Sequence, residues 1–514
     1  MNGIQAPHIE YAQLSPMLVV FGVAIVGVLI EAFAPRYLRK SIHLPLTLVA
    51  LLGGFALTVW QALEGTHNAA AEGAVAVDGP TLFIWGTILL LGAVCVLLIG
   101  DEDYFVAQAA ALPGSAEEDE ALSAGAGHTE IYPLTLFAVG GMLLFPAAND
   151  LLVMFVALEV MSLPLYLLCG LARRRRLLSQ EAAIKYFLLG AFSAAFFLYG
   201  TALLYGYAGS IKLSDIANSL GTVPGQDTLL YVGAAMLGVG LLFKIGAAPF
   251  QAWKPDVYQG APTPITALMA SGTVVAAFGA ALRVFWVALG NLEWNMNPVL
   301  WGVAILTMMV GSVIAITQTD IKRMLAYSSI AHAGFLLTGV VAIGTAAQNQ
   351  KALSGILFYL LAYAFSSVGA FAVVTLVRDA GGEAGHLSRW AGLGKRAPVL
   401  AGTFAFFLLA FAGIPLTSGF FGKYAVFAAA VSGGALNLVI VAALASAIAA
   451  FFYIRVIVLM FFSEPAPDGP TIAVPSIGTS TVVALTALVT VVLGVFPQPV
   501  LSLAGTAAKS LFVR

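Results

Sequence analysis

Three ionisable residues lie deep within apolar stretches of the chain. Glu159 sits in LLVMFVALEVMSLPLYLL, Lys244 in MLGVGLLFKIG and Lys423 in FLLAFAGIPLTSGFFGKYAVF. A charge at the centre of a membrane helix costs roughly 2.5–3.5 kcal/mol on insertion scales, so such residues are retained for a purpose. Glu159 lies about eight residues from either end of its apolar run, too deep for a short carboxylate to reach the interface. The alternative for each is a structural ion pair or a side chain that extends to the membrane surface. His332, in LAYSSIAHAGFLL, is the residue type that titrates nearest neutrality, but a lone histidine on an apolar helix is as often a hydrogen-bonded core residue. Lys185 fits the mouth of a cytoplasmic funnel. Like Arg283, it lies toward a helix end, where cations usually extend to the interface, and Glu31 and Arg455 read as interfacial anchors.

The chemistry these types allow is proton movement. Desolvation brings a lysine's titration toward neutrality and a nearby carboxylate opposes that shift, so a lysine between the two influences can bind and release a proton. Glu159 is expected to tune Lys244 in this way. Thr263, Thr266, Ser271, Thr273, Tyr363, Ser366 and Ser367 are placed to hold a water chain between the ions, or else to pack helices.

Composition defines the elements that must position these groups. Of 514 residues 60% are hydrophobic and only 9% charged, so most of the chain must meet lipid. With a net charge of −2 and no basic tract interleaved with aromatics, a nucleic-acid partner is excluded. The two cysteines, Cys95 and Cys169, lack the spacing of a metal or disulfide motif, and no phosphate-binding glycine loop follows a strand. Disulfides, zinc, iron–sulfur clusters and a nucleotide site are not expected, so any redox or ATP chemistry would belong to a partner. The N-terminal text has no basic region or small-residue cleavage site, so residues 17–33 read as the first span rather than a signal peptide.

A span needs roughly twenty apolar residues, which gives about fourteen membrane helices and an all-α polytopic fold. They fall near 15–34, 43–62, 81–100, 131–147, 151–171, 182–206, 228–249, 263–289, 298–317, 323–344, 353–377, 398–431, 436–462 and 479–497. With simple alternation, Arg36, Arg39, Lys40, Arg173 to Arg176, Lys322, Arg323, Arg378, Arg389, Lys395 and Arg396 share one side, against Lys212 and Lys351 on the other. The positive-inside rule then puts the basic loops in the cytoplasm and both termini in the periplasm. The polar stretch 101–128, with DEDY and EEDE, reads as a solvated, partly mobile cytoplasmic loop, and the arginine run 173–176 as a topology anchor.

Two spans are interrupted in a related manner. Lys244 precedes Gly246 and Pro249, and Gly413 and Pro415 precede Lys423. Proline removes a backbone donor and glycine relaxes the helix, so both spans should break at membrane depth. Corresponding breaks point to an inverted repeat with an ion path at its core. The expected organisation is an N-terminal segment at 1–130, five-helix units at 131–290 and 291–462, and a C-terminal helix within 463–514.

ALEVMSLPLYLL, EAAIKYFLLGAFSAAFFLYG, KIGAAPFQAWKPDVYQGAPTP, KRMLAYSSIAHAGFLL and AGIPLTSGFFGKY together resemble the subunit N family of proton-pumping NADH:quinone oxidoreductase, respiratory complex I. The resemblance spans nearly the whole chain apart from 101–128 and the extreme ends. SLPLY, a lysine rather than a glutamate in span twelve, and no long lateral helix after span fourteen favour subunit N over its sister subunits. The resemblance implies fourteen helices with two inverted five-helix repeats. It implies a Glu159–Lys244 pair in the first half-channel and Lys423 on the outlet side. It also implies a bacterial inner-membrane location beside other antiporter-like and peripheral subunits, with NADH, FMN, iron–sulfur clusters and quinone held by those partners. The family usually carries a further lysine in span eight. Val274, in MASGTVVAAFGAALRVF, occupies that place. Water ordered by Ser271 and Thr273 fills the gap, or His332 does, or this subunit does not pump alone; His332 with water is the preferred reading. A multisubunit sodium/proton antiporter subunit, a membrane-bound hydrogenase subunit and a non-pumping scaffold are the competing readings.

Overall fold

A computed structural model describes residues 9–101, 116–117, 120, 127–172, 175–223, 225, 227–342, 346–379, 382–465, 469–509 and 512. The chain is built almost wholly of helices, as its composition requires: lipid offers no hydrogen-bond partners, so each span must satisfy its own backbone. The membrane helices before the first break are α1 (Tyr11–Phe33), α2 (Arg36–Leu63), α3 (Gly79–Ile99), α4 (Ile131–Ala147), α5 (Leu151–Cys169), α6 (Arg176–Ala208) and α7 (Asp227–Ile245). The short α8 (Trp253–Gly260) follows that break, and α9 (Thr263–Ala288) comes next. The remainder are α10 (Glu293–Thr317), α11 (Ile321–Val341), α12 (Ala346–Leu376), α13 (Pro398–Ala412), α14 (Ser418–Ser432), α15 (Leu436–Phe462), α16 (Ile477–Val495) and α17 (Gln498–Lys509). Among the described residues twelve helices are long and apolar enough to cross a membrane, and α4 and α13 are apolar but shorter.

α9, α11 and α12 are nearly enclosed by the others, whereas α1, α2, α15 and α16 turn most of their apolar surface outward. This division locates the core. α12 packs on α14, α16 and α17, and α8 packs on α11, so the two interrupted spans flank the enclosed helices. α9 is not uniformly α-helical: it carries π turns at Met269–Thr273 and Val284–Ala288. Such turns widen the helix and leave backbone groups to be satisfied locally. The hydroxyls of Ser271 and Thr273 donate to the carbonyls of Ala267 at 2.7 Å and Met269 at 2.5 Å. Their protons are thereby committed to their own helix, which weakens the expectation that these two residues alone order a water chain.

The loops gather into two end faces. On one, an antiparallel hairpin of Asn68–Ala70 and Val75–Val77 meets Ala148, and Asp150 pairs with Lys212. On the other, Val377–Asp379 lies between Gly382–Glu383 and Thr471–Ile472 in a three-stranded sheet, and Asp320 pairs with His386. These short strands were not anticipated from the sequence. Asp78, Asp150 and Asp320 cap α3, α5 and α11 by accepting bonds from first-turn amides, which fixes where those helices begin. Most of the 101–128 stretch, and Arg173 and Arg174 of the arginine run, lie outside the described residues. Arg175 donates to the Glu383 carbonyl at 2.6 Å.

Arg283 corrects an expectation. It does not extend to the interface but is fully buried, ion-paired with Asp78 at 2.8 Å. It also donates to Thr81 at 2.7 Å and to the Pro146 carbonyl at 2.8 Å. Asp78 lies in a loop that reads as solvated, so the sequence gives no sign that the arginine has a partner.

Candidate functional site

Both expected interruptions are present, and both use the same geometry. α7 stops at Ile245 because Gly246 adopts φ +78°, and α13 stops at Ala412 because Gly413 adopts φ +81°. Each glycine amide bonds back to the last turn, a helix-ending pattern that only glycine enters without strain. The final carbonyls of each helix are left facing the interior with the partial negative charge of a helix C-terminus.

At the second break Lys423 meets that charge. Its ammonium donates to the carbonyls of Phe411 at 2.9 Å and Ala412 at 3.0 Å, and to the Ser446 hydroxyl at 2.8 Å. At the first break the equivalent position is held by Lys254, which the sequence reading did not single out. Lys254 is fully buried, and its ammonium donates to the Ile245 carbonyl at 3.1 Å. The signal for it was available: a lysine a short distance beyond a glycine–proline break, as Lys423 is. In the text QAWKPD it passes instead for a loop cation.

Lys244 is buried one residue before the end of α7 but does not cap it. Its ammonium faces Tyr186, 3.5 Å from the hydroxyl and 5.1 Å from the ring centre, with the Tyr166 ring at 5.7 Å. Trp253 stacks on Tyr186 at 4.8 Å, so an aromatic wall joins Lys244 to the start of α8. Glu159 is half-buried on α5, and its Oε1 is enclosed without a hydrogen-bond partner among the described residues. Among the described residues no direct ion pair joins it to Lys244.

His332 is buried on α11. Nδ1 shares a 2.7 Å hydrogen bond with the Tyr359 hydroxyl, and the Tyr453 hydroxyl lies 3.4 Å from Nε2 and bonds Ser328. The Tyr363 ring leans on the imidazole at 4.7 Å, while Lys423 lies over the Phe335 ring at 4.9 Å. His332 is therefore embedded in hydroxyls contributed by α12 and α15, near the second break.

Lys185 lies apart from this interior, at one end face. It is 40% exposed and pairs with Glu181 and Asp256, each at 2.7 Å. Asp256 also pairs with Arg323 at 2.5 Å, which ties α6, α8 and α11 together. On the same face the buried Lys322 donates to Glu383 at 3.1 Å, to Thr263 at 3.1 Å and to the Ala261 carbonyl at 2.9 Å. Among the described residues no cluster of His, Cys, Asp and Glu is arranged to hold a metal ion.

The arrangement is thus a set of buried titratable groups at the two broken helices (Lys244, Lys254 and Lys423) and on α11 (His332). Residues 148–449 match the family described as "NADH:quinone oxidoreductase/Mrp antiporter, TM". The chain is 62% identical to NADH-quinone oxidoreductase subunit N of Rhodococcus opacus (strain B4), an alignment covering 98% of this chain and 97% of that one. A chain of respiratory complex I from Thermus thermophilus with bound aureothin superposes with a TM-score of 0.76 at 33% identity, over 95% of this chain and 99% of that chain. The Mrp complex from Dietzia sp. DQ12-45-1b contains a chain of the same fold, with a TM-score of 0.82 at 21% identity over 98% of each. The chain belongs to the antiporter-like subunit N family of NADH-quinone oxidoreductase.

Proposed function

We propose that this chain conducts protons across the membrane as part of an NADH-oxidising, quinone-reducing complex, while redox chemistry takes place in partner subunits. NADH, FMN, iron–sulfur clusters and quinone belong to those partners in this reading, and this chain contributes no redox step. Neighbouring antiporter-like subunits and peripheral subunits complete the assembly. In the proposed topology the chain is a multi-pass protein of a bacterial inner membrane with both termini periplasmic. Counting each broken helix as one span gives about fourteen, with units at 131–290 and 291–462 related by inversion, an N-terminal segment at 1–130 and a C-terminal helix within 463–514.

The observation that carries this reading is the burial of Lys244, Lys254, His332 and Lys423 at and near the two breaks, in a chain that belongs to this family. Glu159 sets the field at Lys244, which accepts the proton; His332 relays it; Lys423 stands at the outlet. Lys185 stands at the entrance, where its carboxylate partners draw cations to the face. A lysine that changes state needs a partner whose influence is not fixed by a direct bond, and Glu159 has that part in this reading.

Lys244→Ala in the assembled complex tests the reading in inverted membrane vesicles. NADH-driven proton uptake should fall while the complex remains intact. Unchanged uptake per NADH oxidised would leave the chain a scaffold, and sodium-dependent transport without NADH would make it an antiporter.

A further inference from the structure

The path proposed above has an empty stop. Val274 is an apolar side chain in the middle of the enclosed helix α9, and the hydroxyls beside it at Ser271 and Thr273 are spent on backbone carbonyls. A proton leaving Lys244 for His332 then needs water or another base on its way.

Lys254 has the attributes required of that base. It is fully buried, and among the described residues no carboxylate forms an ion pair with it. A buried ammonium that is charged without a counter-ion is costly. The Ile245 carbonyl, its hydrogen-bond acceptor among the described residues, steadies the ammonium without neutralising it. The Tyr258 ring lies 5.7 Å from Nζ on its own helix. Ser329 of α11 stands beside both Tyr258 and Tyr363 of α12, and Tyr363 rests against His332. Among the described residues the buried hydroxyls of Tyr258 and Ser329 have no hydrogen-bond partner. The Phe335 ring meets the imidazole edge-on at 5.7 Å and lies 4.9 Å from the Lys423 ammonium, so the histidine stands beside the second broken helix.

We propose that Lys254 is a proton-carrying residue, which takes the proton released on the Lys244 side and passes it past Tyr258, Ser329 and Tyr363 to His332. In the transfer the neutral Lys254 amine gains one proton, becomes an ammonium, and returns to the amine when the neutral imidazole takes that proton. No electron moves. The same side chain that caps the broken helix thereby supplies the base that α9 lacks at Val274. This rests on the reading of the chain as a proton conductor.

The test is NADH-driven proton uptake per NADH oxidised, measured on the intact complex in inverted vesicles for Lys254→Gln, Lys254→Arg and Lys244→Ala. Glutamine keeps a donor for the Ile245 carbonyl but carries no exchangeable charge, and arginine keeps the charge and the donors but does not release its proton. A proton carrier is expected to lose uptake in both Lys254 variants, and Val274→Lys combined with Lys254→Gln is expected to restore part of it. Full uptake in either Lys254 variant overturns the proposal, since a mere cap tolerates arginine. If Lys254→Gln does not assemble, the arginine variant alone decides. Loss in Lys244→Ala with full uptake in Lys254→Arg would defeat this proposal and leave proton conduction standing. Full uptake in all the variants would defeat both.

Discussion

Lys254 and Lys423 occupy mirrored places in the fold: each reaches back from the second half of a broken span to the carbonyls that end the first half, Ile245 in one case and Phe411 and Ala412 in the other. Each rests against the glycine that makes the break, since a Cβ on Gly246 would meet Lys254 Cδ at 2.7 Å and one on Gly413 would meet Lys423 Cδ at 3.0 Å. The pairing explains how two broken helices persist inside an apolar bundle. Their exposed carbonyls are met by ammonium groups, and each ammonium is met by a helix end.

Gly246→Ala and Gly413→Ala should each strain the backbone by about 1–2 kcal/mol, the cost of a left-handed conformation with a Cβ. Each should also push its lysine away from the carbonyls it caps. Lower proton uptake is expected in both, with the larger loss at Gly246, where the clearance is smaller. Vesicle uptake measured alongside subunit abundance checks this; a glycine-to-alanine change that leaves uptake intact would show that the cap geometry is not needed for conduction.

Asp78→Asn or Arg283→Ala removes one member of an ion pair that is fully buried. Loss of one partner leaves an uncompensated group and costs on the order of 3–5 kcal/mol. The expected result is a marked fall in the amount of this chain recovered with the complex. The double variant Asp78→Leu with Arg283→Leu should recover part of it, because no buried charge then remains. Equal abundance in the single variants would mean that the pair is dispensable.

Two ion pairs on the same end face provide a contrast in burial. Lys322 and Glu383 are almost excluded from solvent, whereas Asp256 and its partners Lys185 and Arg323 are partly exposed. Exposed pairs are worth about 0–1 kcal/mol. Glu383→Gln should therefore lower the thermal stability of the complex clearly more than Asp256→Asn does. Thermal inactivation of NADH:quinone activity reads the difference, and a reversed order would mean that Asp256 holds α6, α8 and α11 together more tightly than its exposure suggests.

His332→Ala removes the imidazole bonded to Tyr359. The histidine is expected to be required for proton uptake and not for assembly, because its neighbours Tyr359, Tyr363 and Tyr453 are held by their own helices. Unchanged uptake per NADH oxidised would remove His332 from the path. His332→Gln, which keeps a hydrogen-bonding side chain but does not titrate, should resemble the alanine variant.

The sequence exposed the helices and their breaks because each is written locally. Long apolar runs declare the spans, and Gly246 with Pro249, or Gly413 with Pro415, declares an interruption within a few residues. Lys244 and Lys423 were legible for the same reason, as charges within apolar text. Lys254 was not, because the prolines and polar residues around it resemble a surface turn, and only the backbone path after Gly246 carries it inward. Arg283 was misread since its partner stands 205 positions away, a separation over which no local pattern speaks. The π turns of α9 left no signal either, as they follow from packing around Met269–Thr273 and Val284–Ala288 rather than from residue type.

The sheet that joins Val377–Asp379 to Thr471–Ile472, and the bond from Arg175 to Glu383 beside it, fasten distant stretches of the chain at one rim. The hairpin at Asn68–Val77 does the same at the other, against Ala148. Transporters that alternate access swing one bundle against another. Here such a swing would break the bond from Arg175 to Glu383, which joins the first unit to the second. What can change state cheaply is smaller: a lysine turning on its stem, a hydroxyl rotating, or a water molecule arriving. The pace of conduction is then governed by the electrostatic energy of placing each proton, and the bundle serves as a stiff insulator around that choice.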